Sequence, residues 1–377
     1  MLKPIPFNRP HVTGREYEYL ADAVRRGHVS GDGHYTSRAH ELLSKVTGVD
    51  RTLLTTSCTH ALEMCAALLD IGPGDEVILP SFTFVSTANA FVLRGATPAF
   101  VDIRADTMNI DESLIEAAIT DRTRAIVVVH YAGVACEMDE IERIAAERGI
   151  EVIEDAAHAL GARYRGRALG SFGSLSTLSF HETKNIHCGE GGALLVNNPS
   201  LMERAEIIRE KGTNRSQFFR GEVDKYTWVD VGSSYLPSDI LAAFLTAQLE
   251  DFNVIQERRL AIWDRYAEAL GTWATGAGVV LPAVPAHCQH PAHLFYLLLP
   301  DLAKRQAFIR HLAQNSIQAV FHYVPLHRSP MSAQLGRHDD CPVTDDVSDR
   351  LVRLPLFPDL SDQDQDRVVE AVLSFSA

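Results

Sequence analysis

Short apolar runs alternate along the first half of the chain with longer segments in which apolar residues recur every three or four positions. The short runs are typical of buried strands, and the longer segments are typical of helices with one buried face. Strands are predicted at 76–79, 97–103, 124–131 and 149–153, and helices at 84–93, 111–119 and 138–148. This β-α alternation predicts an α/β fold with a mostly parallel sheet covered by helices on both faces.

The segments on either side of this alternation predict an arm, flanking helices and a second domain. Three prolines within residues 1–12 predict an extended arm. Further helices are expected at 16–26, 37–47, 240 to about 270, 304–314 and 362–375, and further strands at 294–299 and 319–323. We therefore expect a large domain, residues 1–250, that includes the arm, and a smaller C-terminal α/β domain, residues 251–377.

The composition narrows the class of protein. The chain has 377 residues, of which 46% are hydrophobic, and its net charge is −14 from 35 basic and 49 acidic residues. This balance argues against nucleic-acid binding. Six scattered cysteines without a CxxC pair are typical of free thiols in a reducing compartment. No signal-like N-terminus and no run of eighteen apolar residues occur, so we expect a cytoplasmic protein without a membrane span.

A single lysine, Lys184, lies in a polar turn between two β-prone runs, 175–180 and 193–196. The second run follows a glycine-rich segment, 189–192, which allows other groups to approach the backbone closely. The pattern predicts a strand pair with Lys184 displayed at its tip. A lysine in such a turn is usually only solvated, so its function depends on what lies nearby.

The strand predicted at 149–153 is followed by Glu154, Asp155, two alanines and His158. Ligands of open α/β sheets bind just beyond the carboxyl ends of the strands. An acid there is often only a helix cap, but an acid and a lysine at two strand ends indicate a narrower chemistry. Pyridoxal phosphate needs a lysine for its Schiff base and a carboxylate that keeps its pyridine nitrogen protonated. Lys184 and Asp155 therefore predict this cofactor.

Two more segments carry candidate contacts for such a cofactor. In residues 55–59, Thr56 or Ser57 is a good cap for an apolar helix that runs to Leu69, and the N-terminus of a helix binds phosphate through its free amides. Capping alone is the simpler interpretation. Between a strand and a helix, Phe82 and Phe84 are either core residues or, for one of them, a stacking partner for a planar ring.

The remaining candidates are cations and histidines. The polar stretch 211–228 contains Arg215, Arg220 and Lys225 and is either a surface loop or a binding loop. Histidines and a cysteine at 287–293 suggest a metal site, but their spacing is irregular for zinc, so we expect no metal. No GxGxxG follows the first strand, which disfavours a dinucleotide-binding oxidoreductase.

Four motifs together resemble the DegT-type sugar aminotransferases, which are fold-type-I enzymes that use pyridoxal 5'-phosphate. They are residues 55–59 (TTSCT), 80–84 (PSFTF), 154–158 (EDAAH) and 179–185 (SFHETKN). The resemblance follows the same order along essentially the whole chain. It implies a homodimer with shared active sites.

The resemblance also implies roles for individual residues. Lys184 would form the Schiff base and move the proton between substrate and cofactor, and Asp155 would pair with the pyridine nitrogen. His158 would lie beside the ring, and Phe84 would stack on the face of the ring. The phosphate would be held by three residues: Cys58, Thr59 and Ser179.

One segment departs from the family pattern. Many members have an asparagine in a G-x-N-Y segment that reaches the phosphate in the neighbouring subunit. Here residues 232–235 read GSSY, and Ser234 would donate a hydrogen bond with a shorter reach. For the nucleotide diphosphate of the substrate we expect Arg215, with Arg220 or Lys225 as helpers, because a guanidinium suits phosphate oxygens.

The implied reaction transfers the amino group of L-glutamate to C4 of dTDP-4-dehydro-6-deoxy-D-glucose. Segment 211–221 is the most distinctive of the stretches that imply this substrate. Other nucleotide-linked sugars, with a UDP carrier or a 3-keto group, remain open, as does a cofactor-binding regulatory protein without turnover. A related branch dehydrates sugars and has histidine in place of the lysine, so Lys184 favours transamination.

Overall fold

The computed structural model describes residues 3–335 and 339–376. In chain order, the strands of this part are β1 (Thr52–Thr55), β2 (Glu76–Pro80), β3 (Thr97–Val101), β4 (Thr123–Val129), β5 (Glu151–Asp155), β6 (Arg163–Tyr164), β7 (Arg167–Ala168), β8 (Leu175–Ser179), β9 (Gly192–Val196), β10 (Cys288–Gln289), β11 (Phe295–Leu298), β12 (Val320–Phe321) and β13 (Leu351–Leu354). The strands predicted from the apolar runs are confirmed, whereas β1, β6, β7, β10 and β13 had not been predicted.

The helices are α1 (Arg15–Arg25), α2 (His34–Thr47), α3 (Cys58–Leu68), α4 (Val85–Val92), α5 (Glu112–Ala118), α6 (Met138–Arg148), α7 (Met202–Arg209), α8 (Arg215–Phe219), α9 (Asp239–Glu250), α10 (Phe252–Ala277), α11 (Leu302–Gln314), α12 (Pro330–Gln334), α13 (Pro342–Arg350) and α14 (Asp362–Leu373). The prediction of one helical region from 240 to about 270 was wrong in one respect. Asp251 separates α9 from α10, and an apolar pattern does not reveal a one-residue break.

Capping residues explain several helix ends. The side chains of Ser57 and Ser238 accept hydrogen bonds from backbone N–H groups in the first turns of α3 and α9, as expected for N-caps. Gly149 and Gly278 adopt the left-handed conformation that ends α6 and α10. The boundaries of these helices are therefore set by local chemistry.

The central sheet has seven strands in the order β1-β9-β8-β5-β4-β2-β3. Its strands run parallel except β9, which pairs antiparallel with β8 on one side and β1 on the other. Along β4, Ile126 and Val128 face one hydrophobic core while Ala125 and Val127 face the other. The sheet is thus covered on both faces, which confirms the predicted fold class.

The C-terminal part of the chain builds a second, antiparallel sheet in the order β11-β13-β12. One face of this sheet packs Phe295, Leu297 and Val352 into a core shared with α10, α11 and α14. On its other face, Tyr296 packs with Phe82 and other residues from the first part of the chain. The two parts therefore share a buried contact, and the boundary between residues 250 and 251 stays a prediction.

The N-terminal arm joins the C-terminal part. Ile5 donates its backbone N–H to Ser316 O and accepts from Gln318 N, at 2.9 and 3.0 Å, and its side chain is buried in the same core as Phe295. Further along, Asn8 Nδ2 donates to Glu182 O at 3.3 Å, in the loop that carries Lys184. The arm therefore connects the C-terminal core to the end of β8.

Candidate active site

One cavity of about 670 Å³ opens at the carboxyl edge of the central sheet, a volume typical of small-molecule sites. The edge collects the residues that follow β1, β2, β5 and β8, because parallel strands end on the same side. Seven of the predicted residues line this cavity: Lys184, Asp155, His158, Cys58, Thr59, Phe84 and Ser179. The fold thus brings together residues that are far apart in the sequence.

Lys184 lies in the loop between β8 and β9, which confirms the predicted strand pair. The loop is closed by backbone bonds from Phe180 N to Gly191 O and from Glu182 N to Gly189 O, both 2.8 Å. Burial is the main influence on the lysine and lowers its pKa to about 8, against the opposing effect of Asp155. A lysine with such a pKa is partly unprotonated near neutral pH and can act as a nucleophile or base.

Asp155 ends β5 and is buried. Its Oδ2 accepts from Thr87 Oγ1 at 2.8 Å, and its Oδ1 accepts from Ala157 N at 3.2 Å. Burial raises the pKa of this carboxyl group, while the two hydrogen bonds and the positive charge of Lys184 act in the opposite direction. A carboxylate held in this way is suited to a cationic N–H group, because that partner would offset the cost of its desolvation.

The first turn of α3 is suited to bind an anion. Its amides at Cys58 and Thr59 have no acceptor within the helix, and Thr59 Oγ1 lies 2.7 Å from Ser86 Oγ. A Cβ atom at Gly192 would clash with Cys58 N and the Ser57 carbonyl. Glycine therefore allows β9 to start directly against the helix N-terminus, a geometry suited to phosphate.

The rings of His293 and His322 lie beside that of His158 and form an aromatic wall of the cavity. The ring centroid of His158 is 4.1 Å from that of His293, with an interplanar angle of 24°, and 6.2 Å from that of His322. His322 Nδ1 lies 3.1 Å from the hydroxyl oxygen of Tyr131. Burial holds the pKa of all three histidines well below the usual value, so the wall is neutral at physiological pH.

The two phenylalanines after β2 have different environments. Phe82 is only 1% exposed and packs with Tyr131 and Tyr323 in the core. Phe84 is 59% exposed in the single chain and lines the cavity. Of the two candidates for ring stacking, Phe84 therefore has the accessible face, and Phe82 is a core residue.

Four predicted residues lie elsewhere. Among the described residues that line the cavity, Ser234, Arg215, Arg220 and Lys225 do not occur. Arg215 approaches Glu210 at 3.7 Å and its guanidinium lies over the ring of Phe219, whereas Arg220 pairs with Glu206 and Glu222. Ser234 and Lys225 are exposed. These residues do not join the cavity of their own chain.

Sequence reasoning missed Arg353, which lines the same cavity from β13. Its Nη2 donates to Phe321 O at 3.2 Å, and its guanidinium lies over the ring of Phe7, 4.6 Å from the centroid. Its Nε is buried without a partner, and no carboxylate of the described chain lies within ion-pairing distance. No local motif marked this residue, because it reaches the site only through the second sheet.

The histidine and cysteine cluster does not converge. His287 Nε2 lies 3.0 Å from Glu137 Oε1, His290 faces Trp263, and His293 faces His158. Within residues 3–335 and 339–376 no group of three or more potential ligands has a metal-binding arrangement. Nor does any helix of this part combine the length and apolar character that crossing a membrane requires.

The model of the DegT/DnrJ/EryC1/StrS aminotransferase family matches residues 10–373. The chain belongs to this family. It is 36% identical to the uncharacterized protein MJ1066 of Methanocaldococcus jannaschii, over 98% of this chain and 96% of that protein. Solved structures of similar proteins include S. venezuelae DesV in complex with a ketimine intermediate (30% identity, TM-score 0.90, 100% and 99% of the two chains). Spr1654 from Streptococcus pneumoniae in its PLP form is similar to the same degree (29%, 0.90, 99% of both chains).

Aminotransferases of this family use pyridoxal phosphate, and the residues of this chain fit it. The cavity offers a lysine with a lowered pKa, a buried carboxylate and a helix N-terminus, which are the groups that the aldehyde, the pyridine nitrogen and the phosphate require. The fold type and the cofactor expected from the sequence are therefore confirmed, while the roles of single residues stay predictions.

The lowered pKa of Lys184 predicts how the cofactor-free protein captures pyridoxal phosphate. Only the unprotonated amine attacks the aldehyde, so the capture rate should rise roughly tenfold per pH unit below the pKa and level off above about 8. Stopped-flow absorbance of the bound cofactor measures this rate. Lys184→Ala is the control and should show no covalent capture. A rate that still rises up to pH 10.5, the ordinary lysine value, would contradict the effect of burial.

Proposed function

We propose that the protein transfers the amino group of L-glutamate to C4 of dTDP-4-dehydro-6-deoxy-D-glucose. The products are dTDP-4-amino-4,6-dideoxy-D-galactose and 2-oxoglutarate, and the protein would be the corresponding transaminase. The observation that carries this proposal is a single cavity in which Lys184, Asp155 and the N-terminus of α3 face one another. Further support for this particular sugar comes from the resemblance of segment 211–221 to the enzymes that use it.

In the proposed reaction the cofactor, when bound, supplies the electron sink. The residues of this chain bind and orient it and transfer the protons. Asp155, fixed by Thr87 and Ala157, would hold the proton on the pyridine nitrogen. The N-terminus of α3 would anchor the phosphate. Lys184 would take the proton from the α-carbon of glutamate and, in the second half-reaction, deliver a proton to C4 of the sugar. Its pKa of about 8 suits both transfers near neutral pH.

The decisive experiment identifies the product made by the purified protein from glutamate and dTDP-4-dehydro-6-deoxy-D-glucose. We expect an amino sugar whose H4 shows small couplings in the proton NMR spectrum, because the 4-amino group of the galacto sugar is axial. Lys184→Ala should abolish turnover. Large H4 couplings would contradict the assigned stereochemistry. A preference for a UDP or 3-keto sugar would contradict the substrate, and a protein that never transfers nitrogen from glutamate would contradict the function.

Arg353 supports an α-amino acid as the donor. Arg353 lies on β13 and lines the cavity together with Lys184. Burial lowers the pKa of its guanidinium group. A guanidinium without a carboxylate partner is suited to bind an oxyanion of the substrate. The α-carboxylate of glutamate is bonded to the reacting carbon, whereas the sugar carries no charge near C4. We therefore infer that Arg353 holds the donor's carboxylate.

Replacing Arg353 should impair only the donor half-reaction. In Arg353→Met, the rate of conversion by glutamate should fall about 10- to 100-fold, as expected for one charged hydrogen-bond partner, while 4-aminobutyrate, which lacks the α-carboxylate, should lose little. Single-turnover absorbance measures both rates. Arg305→Met is a matched control, since Arg305 also lies over a phenylalanine and has a buried Nε without a partner. Equal losses with both amines would contradict a carboxylate contact.

We further propose a homodimer in which residues 211–235 of one subunit reach the cavity of the other. Phe219 and Trp228 are 69% and 76% exposed in the single chain, and large apolar surfaces of this kind are typical of protein interfaces. Phe84 is exposed beside the cavity. Because Arg215 does not reach its own cavity, its proposed contact with the nucleotide diphosphate requires the partner. The same holds for Ser234 and the cofactor phosphate.

Mixing two defective variants tests this arrangement. Lys184→Ala and Arg215→Ala should each be impaired, the second through a higher KM for the keto sugar. If Arg215 acts across the interface, a mixed dimer contains one site with both residues intact, so activity should return when the variants are refolded together. The absence of any recovery, or a molar mass of one chain by light scattering, would contradict the shared site. Refolding each variant alone is the control.

A further inference from the structure

His293 lies just before β11 and contacts two parts of the site at once. Its Nδ1 is 2.9 Å from Oδ1 of Asn185, the residue after Lys184, and its ring stacks on that of His158 at a centroid distance of 4.1 Å. We propose that His293 is a positioning residue that holds the Lys184 loop and the ring of His158 in fixed relation to the cofactor. The proposal rests on the roles given above to Lys184 and His158.

The hydrogen bonds of Asn185 fix the tautomer of His293. Asn185 Nδ2 donates to Gln256 Oε1 at 3.0 Å and to Pro291 O at 2.7 Å. Its Oδ1 is therefore the acceptor for His293 Nδ1, which must carry the proton. The Nε2 atom of His293 is then unprotonated. The neutral Nδ1–H tautomer of His293 thus connects Asn185, the residue next to Lys184, to the C-terminal part of the chain.

The stack between His293 and His158 requires that the two rings are not protonated at the same time. Burial lowers the pKa of each, and the charges of Lys184 and Arg353 add to this effect. For His293 the positive charge of Arg259 acts in the same direction. Two imidazolium ions at this distance would repel each other, and the lowered pKa values of both rings disfavour this doubly protonated state. His293 then limits the tilt of the His158 ring.

A rigid frame holds His293 itself. Arg259, fully buried in α10, donates to Ala292 O at 3.1 Å and to His293 O at 2.6 Å, and Gln256 Nε2 donates to Pro291 O at 2.8 Å. No carboxylate of the described residues pairs with Arg259. A buried cation held only by carbonyl groups is costly. Its clear structural effect is to fix the backbone that carries His293.

Two substitutions separate the two contacts. His293→Phe keeps a flat ring against His158 and loses the hydrogen bond to Asn185. His293→Asn keeps a donor near the Nδ1 position and loses the ring. The readouts are the visible circular dichroism of the bound cofactor, which reports its orientation, and the pH at which its absorbance titrates, which reports the Lys184 nitrogen. His311→Phe is the control, because the His311 ring on α11 contacts Ala371, Ser374 and Phe375 and is not among the described residues that line the cavity.

We expect opposite patterns in the two variants. His293→Asn should lose most of the visible circular dichroism and keep the titration pH. His293→Phe should keep the circular dichroism and shift the titration by about one pH unit, which corresponds to ~1.4 kcal/mol. Asn185→Ala should add little to the shift in the His293→Phe background, because both changes remove the same bond. Variants that lose only thermal stability, with wild-type cofactor spectra, would overturn the proposal.

A measurement on the unaltered protein covers the case in which the variants do not fold. Nitrogen NMR of histidine-labelled protein distinguishes protonated from unprotonated ring nitrogens. A proton on Nδ1 of His293 in the pyridoxal-phosphate-loaded protein is expected, and a proton on Nε2 would overturn the proposal. Failure of the wild-type protein to bind pyridoxal phosphate at all would instead refute the proposed function, so the two failures are distinguishable.

Discussion

The site depends on the removal of two opposite charges, those of Lys184 and Asp155, from water at one edge of a parallel sheet. Desolvation lowers the pKa of Lys184 and raises the pKa of Asp155. Burial therefore favours the neutral form of both groups. No ion pair joins the two among the described residues, although each charge influences the pKa of the other group. Each therefore remains available to a ligand, and a cofactor with an aldehyde and a basic ring nitrogen would satisfy both.

Strand order explains how this edge is assembled. Cys58 follows β1, Asp155 ends β5 and Ser179 ends β8, and β9 lies between β1 and β8. β9 is antiparallel to both of its neighbours. The chain therefore turns in a tight loop beside α3 before it runs along β9 to the opposite edge of the sheet. Glycine at position 192 permits this approach. The only antiparallel strand of the described central sheet is thus the one that places the lysine loop beside the N-terminus of α3.

The positions of Lys184 and Asp155 in the cavity could be predicted because each follows a predicted strand within a few residues, whereas Cys58, Thr59 and Ser179 were expected only from the family resemblance. Other parts of the fold and of the site could not be predicted. β1 has four residues, two of them threonines, and β6, β7 and β10 have two each, so no apolar run marked them. The burial of Phe82 depends on packing against the second sheet. Arg353 lies on that sheet and no local pattern marks it, whereas His293 lies just before it in a cluster whose composition pointed towards a metal instead.

The division of the site between the central sheet and the C-terminal part has a chemical consequence. Residues that follow strands of the central sheet supply the groups that any pyridoxal phosphate enzyme needs, whereas the C-terminal part supplies Arg353, His322 and the frame of His293. The arm at Ile5 and Phe7 belongs structurally to the same C-terminal part. A small rotation of that part would move the guanidinium of Arg353 and the wall beside His158 together. If Arg353 and His293 act as proposed, substrate choice and cofactor alignment would be coupled through the C-terminal part, although the motifs that identify the family contain neither residue.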